Sequence, residues 1–269
     1  WLYNLLHYKS LLHNEAAFKK YNIQKPLFTS ISSKDFPDQK SRAWLDTGHS
    51  REIAKSHPAF KNFSEDIQQQ ILNWSDTGYM LLHGFFKDII IDEINMEIDG
   101  IVEKKLIKET HDNKLPFANK ISPLIKNVTY TPALINILNF LLDKEVVPFQ
   151  TLNFIKGSNQ RAHSDSIHMT TYPLGYLIAV WIALEDTKKK KEQLFYYPGS
   201  HQLPYLLNND FNESSTILKL GKKDYSDYED VVEDIIQKNS LEKKTFFAKK
   251  GDVFIWHANL IHGGSPIID

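Results

Sequence analysis

Two spacings of hydrophobic residues divide the chain near Asp143. Before it, apolar residues recur every three or four positions, the period of a helix with one buried face. Ile67, Ile71, Leu72 and Trp74 follow Ser64, Glu65 and Asp66, a serine cap with acids in the first turn, and predict a helix that Gly78 ends. Ile91, Ile94, Ile98, Ile101, Val102 and Ile107 predict a second over 89–108. Leu134, Ile137, Leu138 and Leu141 predict a third over 131–144, with Pro132 at a tolerated early position. Residues 79–86 read as a short strand and turn. Beyond Asp143 the apolar residues come in short β-branched and aromatic runs at 146–155, 177–184, 194–197, 245–248 and 252–257, punctuated by Gly, Pro, Asn and Ser. Such runs predict strands, with one helical insert over 225–238. The expected fold class is mainly β with supporting helices, a barrel or sandwich backed on one side. Pro26, Pro37 and Pro58 break the first sixty residues, so 1–63 are expected to be a helical and irregular extension and 64–269 the main domain.

Composition narrows the chemistry. With 42% hydrophobic residues in a chain of 269, a substantial core is available. Acidic and basic residues nearly cancel, 33 against 32, so charge gives no reason to expect a nucleic-acid partner. Only Arg42, Arg51 and Arg161 are arginines, so an arginine near a pocket would stand out as a carboxylate binder. The lysine run 188–191 reads as a solvated loop. Cysteine is absent, which excludes disulfides, zinc–thiolate sites, iron–sulfur clusters and thiol nucleophiles, and fits a reducing cytoplasm. No membrane span or signal peptide is visible. The chain opens on Trp1 and stops in apolar sequence at Asp269, so further residues are expected at both ends.

One short segment carries metal chemistry. In extended backbone, residues two apart project to one face, so His163 and Asp165 can offer an imidazole nitrogen and a carboxylate oxygen to one ion. By itself such a pair is also what a surface turn with a capping aspartate looks like. A third ligand is expected from the segment 252–266, which holds both His257 and His262. Two histidines and one carboxylate with other positions open is the ligand set of non-haem iron(II) oxygenases.

Four motifs in order resemble the phytanoyl-CoA dioxygenase family. LNFIKGSNQRAHSD (152–165) resembles its strand, lysine-containing loop and HxD, and WIALED (181–186) with LFYYPGSH (194–201) resembles its W-x-A-L-x-D and P-G-S-H signature. GDVFIWHANLIHGGS (251–265) resembles its second ligand segment, and Thr77-Gly78-Tyr79 ahead of Phe85-Phe86 its opening segment. The resemblance covers about residues 64–269. It implies a double-stranded β-helix (jelly-roll, cupin-like) core holding Fe(II), with 2-oxoglutarate as cosubstrate. The implied partners are dioxygen and a small-molecule substrate whose aliphatic carbon is hydroxylated.

Position by position, the resemblance implies His163, Asp165 and His262 as metal ligands, the last because the family's ligand is the histidine followed by glycine. His257 then matches a histidine that does not bind metal. Trp181 and Lys156 match cosubstrate-binding positions, and Gln150 a substrate contact. His168 is expected to face the substrate cavity, and His201 to hydrogen-bond locally within a turn. The intact Asp165 points away from halogenase relatives, which have a small residue there. Family members also place an arginine about ten residues beyond the second histidine, which is expected past Asp269; Arg161 is the nearby substitute. Competing readings are a different metal chemistry on a cupin-like barrel and a catalytically silent binding or scaffold protein.

Overall fold

The structure is a computed structural model that describes residues 2–29, 31–32, 35–37, 43–110, 114–155, 157–187, 193–207 and 225–266. Its strands are β1 (Tyr79–Leu82), β2 (Lys114–Pro116), β3 (Leu152–Phe154), β4 (Ile178–Ile182), β5 (Leu194–Tyr196), β6 (Lys244–Phe246), β7 (Val253–His257) and β8 (His262–Gly264). All pairings are antiparallel and form sheets of order β1-β7-β4, β2-β3 and β6-β5-β8.

The alternation along β7 sets the layers. Val253 and Ile255 pack with Met80, Leu82, Ile178, Val180 and Ile182 against the helices. The intervening Phe254 and Trp256 turn the other way and pack with Tyr79, Leu81, Trp181, Tyr196 and Phe246. A period-two strand at the centre of a sheet thus feeds two cores at once. The helix side draws on α1 (Ser50–Ser56), α2 (Glu65–Thr77), α3 (Asp88–Glu103), α4 (Pro123–Thr129) and α5 (Pro132–Leu142). Ile91, Ile94, Ile98 and Ile101 form the buried stripe of α3; Leu134, Ile137, Leu138 and Leu141 form that of α5. Fully burying side chains such as Ile91 or Ile255 contributes about 1.5–3 kcal/mol each. On the far side of β5, Phe195 and Tyr197 pack against Tyr228 and Val232 of α6 (Tyr225–Lys238). The segments carrying His163, Asp165 and His262 lie between these layers, with Ala162 and Ile261 packed on the α6 side and the His262 ring against Trp256.

The outer edge of β1 is closed by a side chain. The Gln70 amide of α2 donates to the Leu81 carbonyl (2.8 Å) and accepts from the Leu81 N–H (2.7 Å), pairing backbone groups that an edge strand leaves open.

Several expectations change in detail. Helices occupy more of the described chain than strands, so the mainly-β description suits the layers around the site better than the whole chain. The helix expected over 89–108 ends at Glu103, where the chain turns through a left-handed Lys105, and the strand expected over 146–155 shortens to β3. Ser64 sits at the N-cap of α2, but its hydroxyl makes no capping bond. Leu45, Ala54 and Phe60 enter the same core as α2, α3 and α5, and the Trp44 indole donates to the Leu141 carbonyl (2.9 Å), so part of the N-terminal segment is built into the helix layer. The lysine run 188–191 lies outside the described residues.

Candidate metal centre

The site is assembled by backbone pairing before any side chain is considered. His163 and His262 form an antiparallel bridge in which each N–H donates to the other's carbonyl at 2.9 Å. Residues paired in this way project their side chains to the same face, and the two rings stand 4.6 Å apart between centroids. Ser164 is extended (φ −111°, ψ 148°), so Asp165 returns to the face of His163. Ligand atoms of His163, Asp165 and His262 all lie within 4.8 Å of one another. Among the described residues, this is the trio of histidine and carboxylate groups that closes on one point.

Hydrogen bonds set the imidazole tautomers. His163 Nδ1 lies 2.8 Å from the Arg161 carbonyl and His262 Nδ1 lies 2.9 Å from the Leu260 carbonyl. A carbonyl only accepts, so each Nδ1 carries the proton and each Nε2 keeps its lone pair for a metal. Burial drives the His163 imidazole well below the ordinary histidine range, with His262 adding to the effect, so it is neutral as a ligand must be. Asp165 supplies the one negative charge, with Oδ1 3.8 Å from His262 Nε2 and Oδ2 accepting from the Trp256 indole at 2.9 Å. This donor set fits a divalent transition metal: two neutral imidazoles, one carboxylate and no thiolate.

The segments flanking the ligands are held by identifiable contacts. Gly263 follows His262 where a Cβ would meet the Phe195 ring at 2.4 Å and the Gln160 carbonyl at 2.7 Å, so only glycine lets β8 lie this close to its neighbours. Gly251, at φ +85°, would place a Cβ 2.1 Å from the Phe86 carbonyl. Buried Asp252 accepts from Gly84 N–H (2.7 Å) and Lys249 N–H (3.0 Å) and meets His83 Nδ1 at 3.2 Å. Burial would raise its carboxyl, but the N–H groups of Lys249 and Gly84, with His83, hold it below its usual value. Behind the HxD segment, the Tyr228 hydroxyl of α6 accepts from Ser164 N–H at 2.8 Å.

The other sequence-predicted residues fall in different places. His257 lies outside the trio. It shares the helix-facing parity of Val253 and Ile255, and its Nδ1 accepts from Asn259 N–H (3.0 Å), so Nε2 is the protonated nitrogen and donates to Asp46 at 3.2 Å. His201 does not bond locally as expected. Its Nε2 donates to the Ser75 carbonyl (3.1 Å), while Gly199 N–H donates to the Thr77 carbonyl (3.0 Å), so the PGSH turn caps the end of α2. Burial, then neighbouring His257, pushes His201 down to about 4. Trp181 lies on the inner face of β4, edge-on to Phe246. Gln150 is half-buried just ahead of β3, and Lys156 lies outside the described residues. His168 reaches the surface with one face of its ring covered by Tyr225 (5.2 Å between centroids) and Nε2 3.2 Å from the Tyr225 hydroxyl. Arg161 is no substitute for the expected arginine, because its guanidinium is engaged by Glu229, Asp230 and Glu233 of α6.

Sequence reasoning missed Trp256, although the alternation of 252–257 marks it as facing the opposite way from His257. It also missed Lys114, whose charge reaches His168 and, behind burial, helps to hold that imidazole below its ordinary value. That signal was not legible, since Lys114 is brought near by the pairing of β2 with β3.

Comparison with known proteins fits this geometry. The family model described as phytanoyl-CoA dioxygenase (PhyH) matches residues 85–268, spanning both ligand segments. The chain belongs to the phytanoyl-CoA dioxygenase family. A zebrafish (Danio rerio) phytanoyl-CoA dioxygenase domain-containing protein 1 is 26% identical over 213 residues, covering 74% of this chain and 67% of that protein. The mouse (Mus musculus) protein of the same name is 27% identical over 149 residues, 52% of this chain and 49% of its own length. This phytanoyl-CoA dioxygenase family chain also resembles solved structures in fold. The non-heme alpha ketoglutarate dependent carbocyclase SnoK from nogalamycin biosynthesis gives a TM-score of 0.59 at 14% identity, covering 78% of this chain and 80% of that one. EctD from S. alaskensis with bound Fe gives 0.58 at 19% identity, covering 77% and 72%.

Proposed function

We propose that this chain is an iron(II)- and 2-oxoglutarate-dependent dioxygenase that hydroxylates an aliphatic carbon of a small molecule, with residues 64–269 as a catalytic unit of double-stranded β-helix type. One observation carries the reading: His163, Asp165 and His262 converge within 4.8 Å, with both Nδ1 atoms bonded to backbone carbonyls. A two-histidine, one-carboxylate site with open positions suits iron(II) in oxygenases. Family membership and the likeness in fold to iron- and ketoglutarate-dependent proteins support the same choice.

When bound, the metal and the 2-oxo acid supply oxygen activation coupled to oxidative decarboxylation to succinate; the protein supplies placement. His163 and His262 present fixed lone pairs, and Asp165 balances part of the metal's charge. Trp181, on the inner face of β4, would flank the cosubstrate. Lys114 brings positive charge close to His168, where an anionic group of cosubstrate or substrate would gain from it; Lys156 is a second candidate for that role. His168, with Tyr225, and Gln150 would be the side chains that face the substrate.

The test is anaerobic addition of 2-oxoglutarate to the iron(II)-loaded protein carrying the arginine expected past Asp269, followed by admission of oxygen with a panel of small molecules. The expected results are the weak visible charge-transfer band of a chelated 2-oxo acid and then succinate release. A protein that binds iron but shows neither overturns the reading and leaves the other metal chemistry or the binding role.

A further inference from the structure

Asp165 has two carboxylate oxygens, and the structure treats them differently. Oδ1 lies 3.8 Å from His262 Nε2, the nitrogen whose lone pair points into the metal site. Oδ2 accepts the Trp256 indole N–H at 2.9 Å. An indole nitrogen can only donate, so the carboxylate is the acceptor in this bond. Trp256 itself has little freedom. It is buried in the central strand of its sheet, its backbone opposite Tyr79 on one side and Ala179 on the other, and its ring lies 4.7 Å from that of His262.

We propose that Trp256 is a positioning residue that occupies Asp165 Oδ2, so that Asp165 ligates the metal through Oδ1 alone. The consequence is coordination number. Six positions less three protein atoms leave three, enough for a cosubstrate held at two points and one further small ligand. A carboxylate free to close on the metal through both oxygens takes one of those positions away. The metal-binding part of this proposal depends only on the trio; its bearing on catalysis rests on the oxygenase reading above.

The experiment uses the full chain without 2-oxoglutarate. Co(II) affinity is measured by titration, and metal-bound water is counted from the broadening of the Mn(II) resonance in ¹⁷O-water. Trp256→Phe removes the N–H and keeps an aromatic ring; Trp256→His keeps a ring N–H. Trp256→Phe is expected to weaken Co(II) about 10- to 100-fold, the usual effect of losing a hydrogen-bond partner behind a ligand. It is also expected to bind one fewer water than the parent protein, with Trp256→His closer to the parent in both readouts. Co(II) affinity in Trp256→Phe within about twofold of the parent, an unchanged water count, or equal losses in both variants would overturn the proposal, the last because the loss would then follow the bulky ring. If Trp256→Phe does not fold, Trp256→His decides alone: a parental water count supports the proposal and a lower one defeats it. Because no readout involves 2-oxoglutarate or oxygen, this result stands even if the charge-transfer band and succinate never appear.

Discussion

A ligand histidine has two nitrogens, and in this site backbone carbonyls decide which one is left for the metal. Because Arg161 and Leu260 hold the Nδ1 protons, Nε2 of His163 and of His262 is set before metal arrives. Replacing His163, Asp165 or His262 by alanine is therefore expected to abolish iron binding, measured by metal analysis after desalting, while circular dichroism stays native. His257→Ala should keep its iron. Retention of iron in His262→Ala with loss in His257→Ala would reverse the assignment. The HxD pair was readable from spacing, whereas the choice of His262 came from a family resemblance. Alternation alone could have made it, since His257 shares the helix-facing parity of Val253 and Ile255. His201 gives a different test. Its folded-state value, about 4, lies below the ordinary 6.5, so the unfolded chain takes up the proton first as pH falls. Its neutral burial thus favours the folded state fully above about 6.5 and loses that advantage down to about 4, by roughly 3 kcal/mol at about 1.4 kcal/mol per pH unit. Denaturant melts of His201→Gln should show a shallower loss of stability over that window than the parent; an identical slope would refute this.

At the scale of elements, the helices were legible because their stripes are long and repetitive, and α3 and α5 bury the residues that the spacing picked out. Strands were harder to bound. β3 is three residues long inside a ten-residue apolar run, because nothing in composition tells paired backbone from the extended chain leading to it. The GD that opens β7 is explained in part by a tertiary contact, since Asp252 accepts from Lys249 within its own turn and from Gly84, which is distant in sequence. Asp252→Ala leaves both N–H groups without that partner and is expected to destabilise the fold by roughly 2–4 kcal/mol in urea melts. A loss under about 0.5 kcal/mol would show that water replaces the carboxylate readily.

Across the whole molecule, the metal trio joins one segment near the middle of the chain to another near residue 262, and the N-terminal segment locks behind them. Asp46 receives the buried His257 N–H at 3.2 Å. Asp46→Ala should lower thermal stability by several degrees, about 1–3 kcal/mol, and speed proteolysis around 43–60, with metal content unchanged. Equal iron loss would mean that this segment supports the site directly. The layered plan was visible in the switch of period near residue 143, but the seating of 43–60 in the main core was not, because Pro58 and the many polar residues between them hide Leu45, Ala54 and Phe60.

The order of β1-β7-β4 has a consequence in time. On the ribosome, β1 emerges long before the strand that must lie beside it, and Tyr79 waits for Trp256. At ordinary elongation rates the gap is on the order of ten seconds or more. Throughout it Met80 and Leu82 lack their neighbours Val253 and Ile255, and His163 lacks His262. Until then the chain lacks the strand that closes the sheet and completes the helix-side core, and it lacks one of the three groups of the trio. Arrival of the strand at 253–257 completes the sheet, and the next few residues complete the metal site.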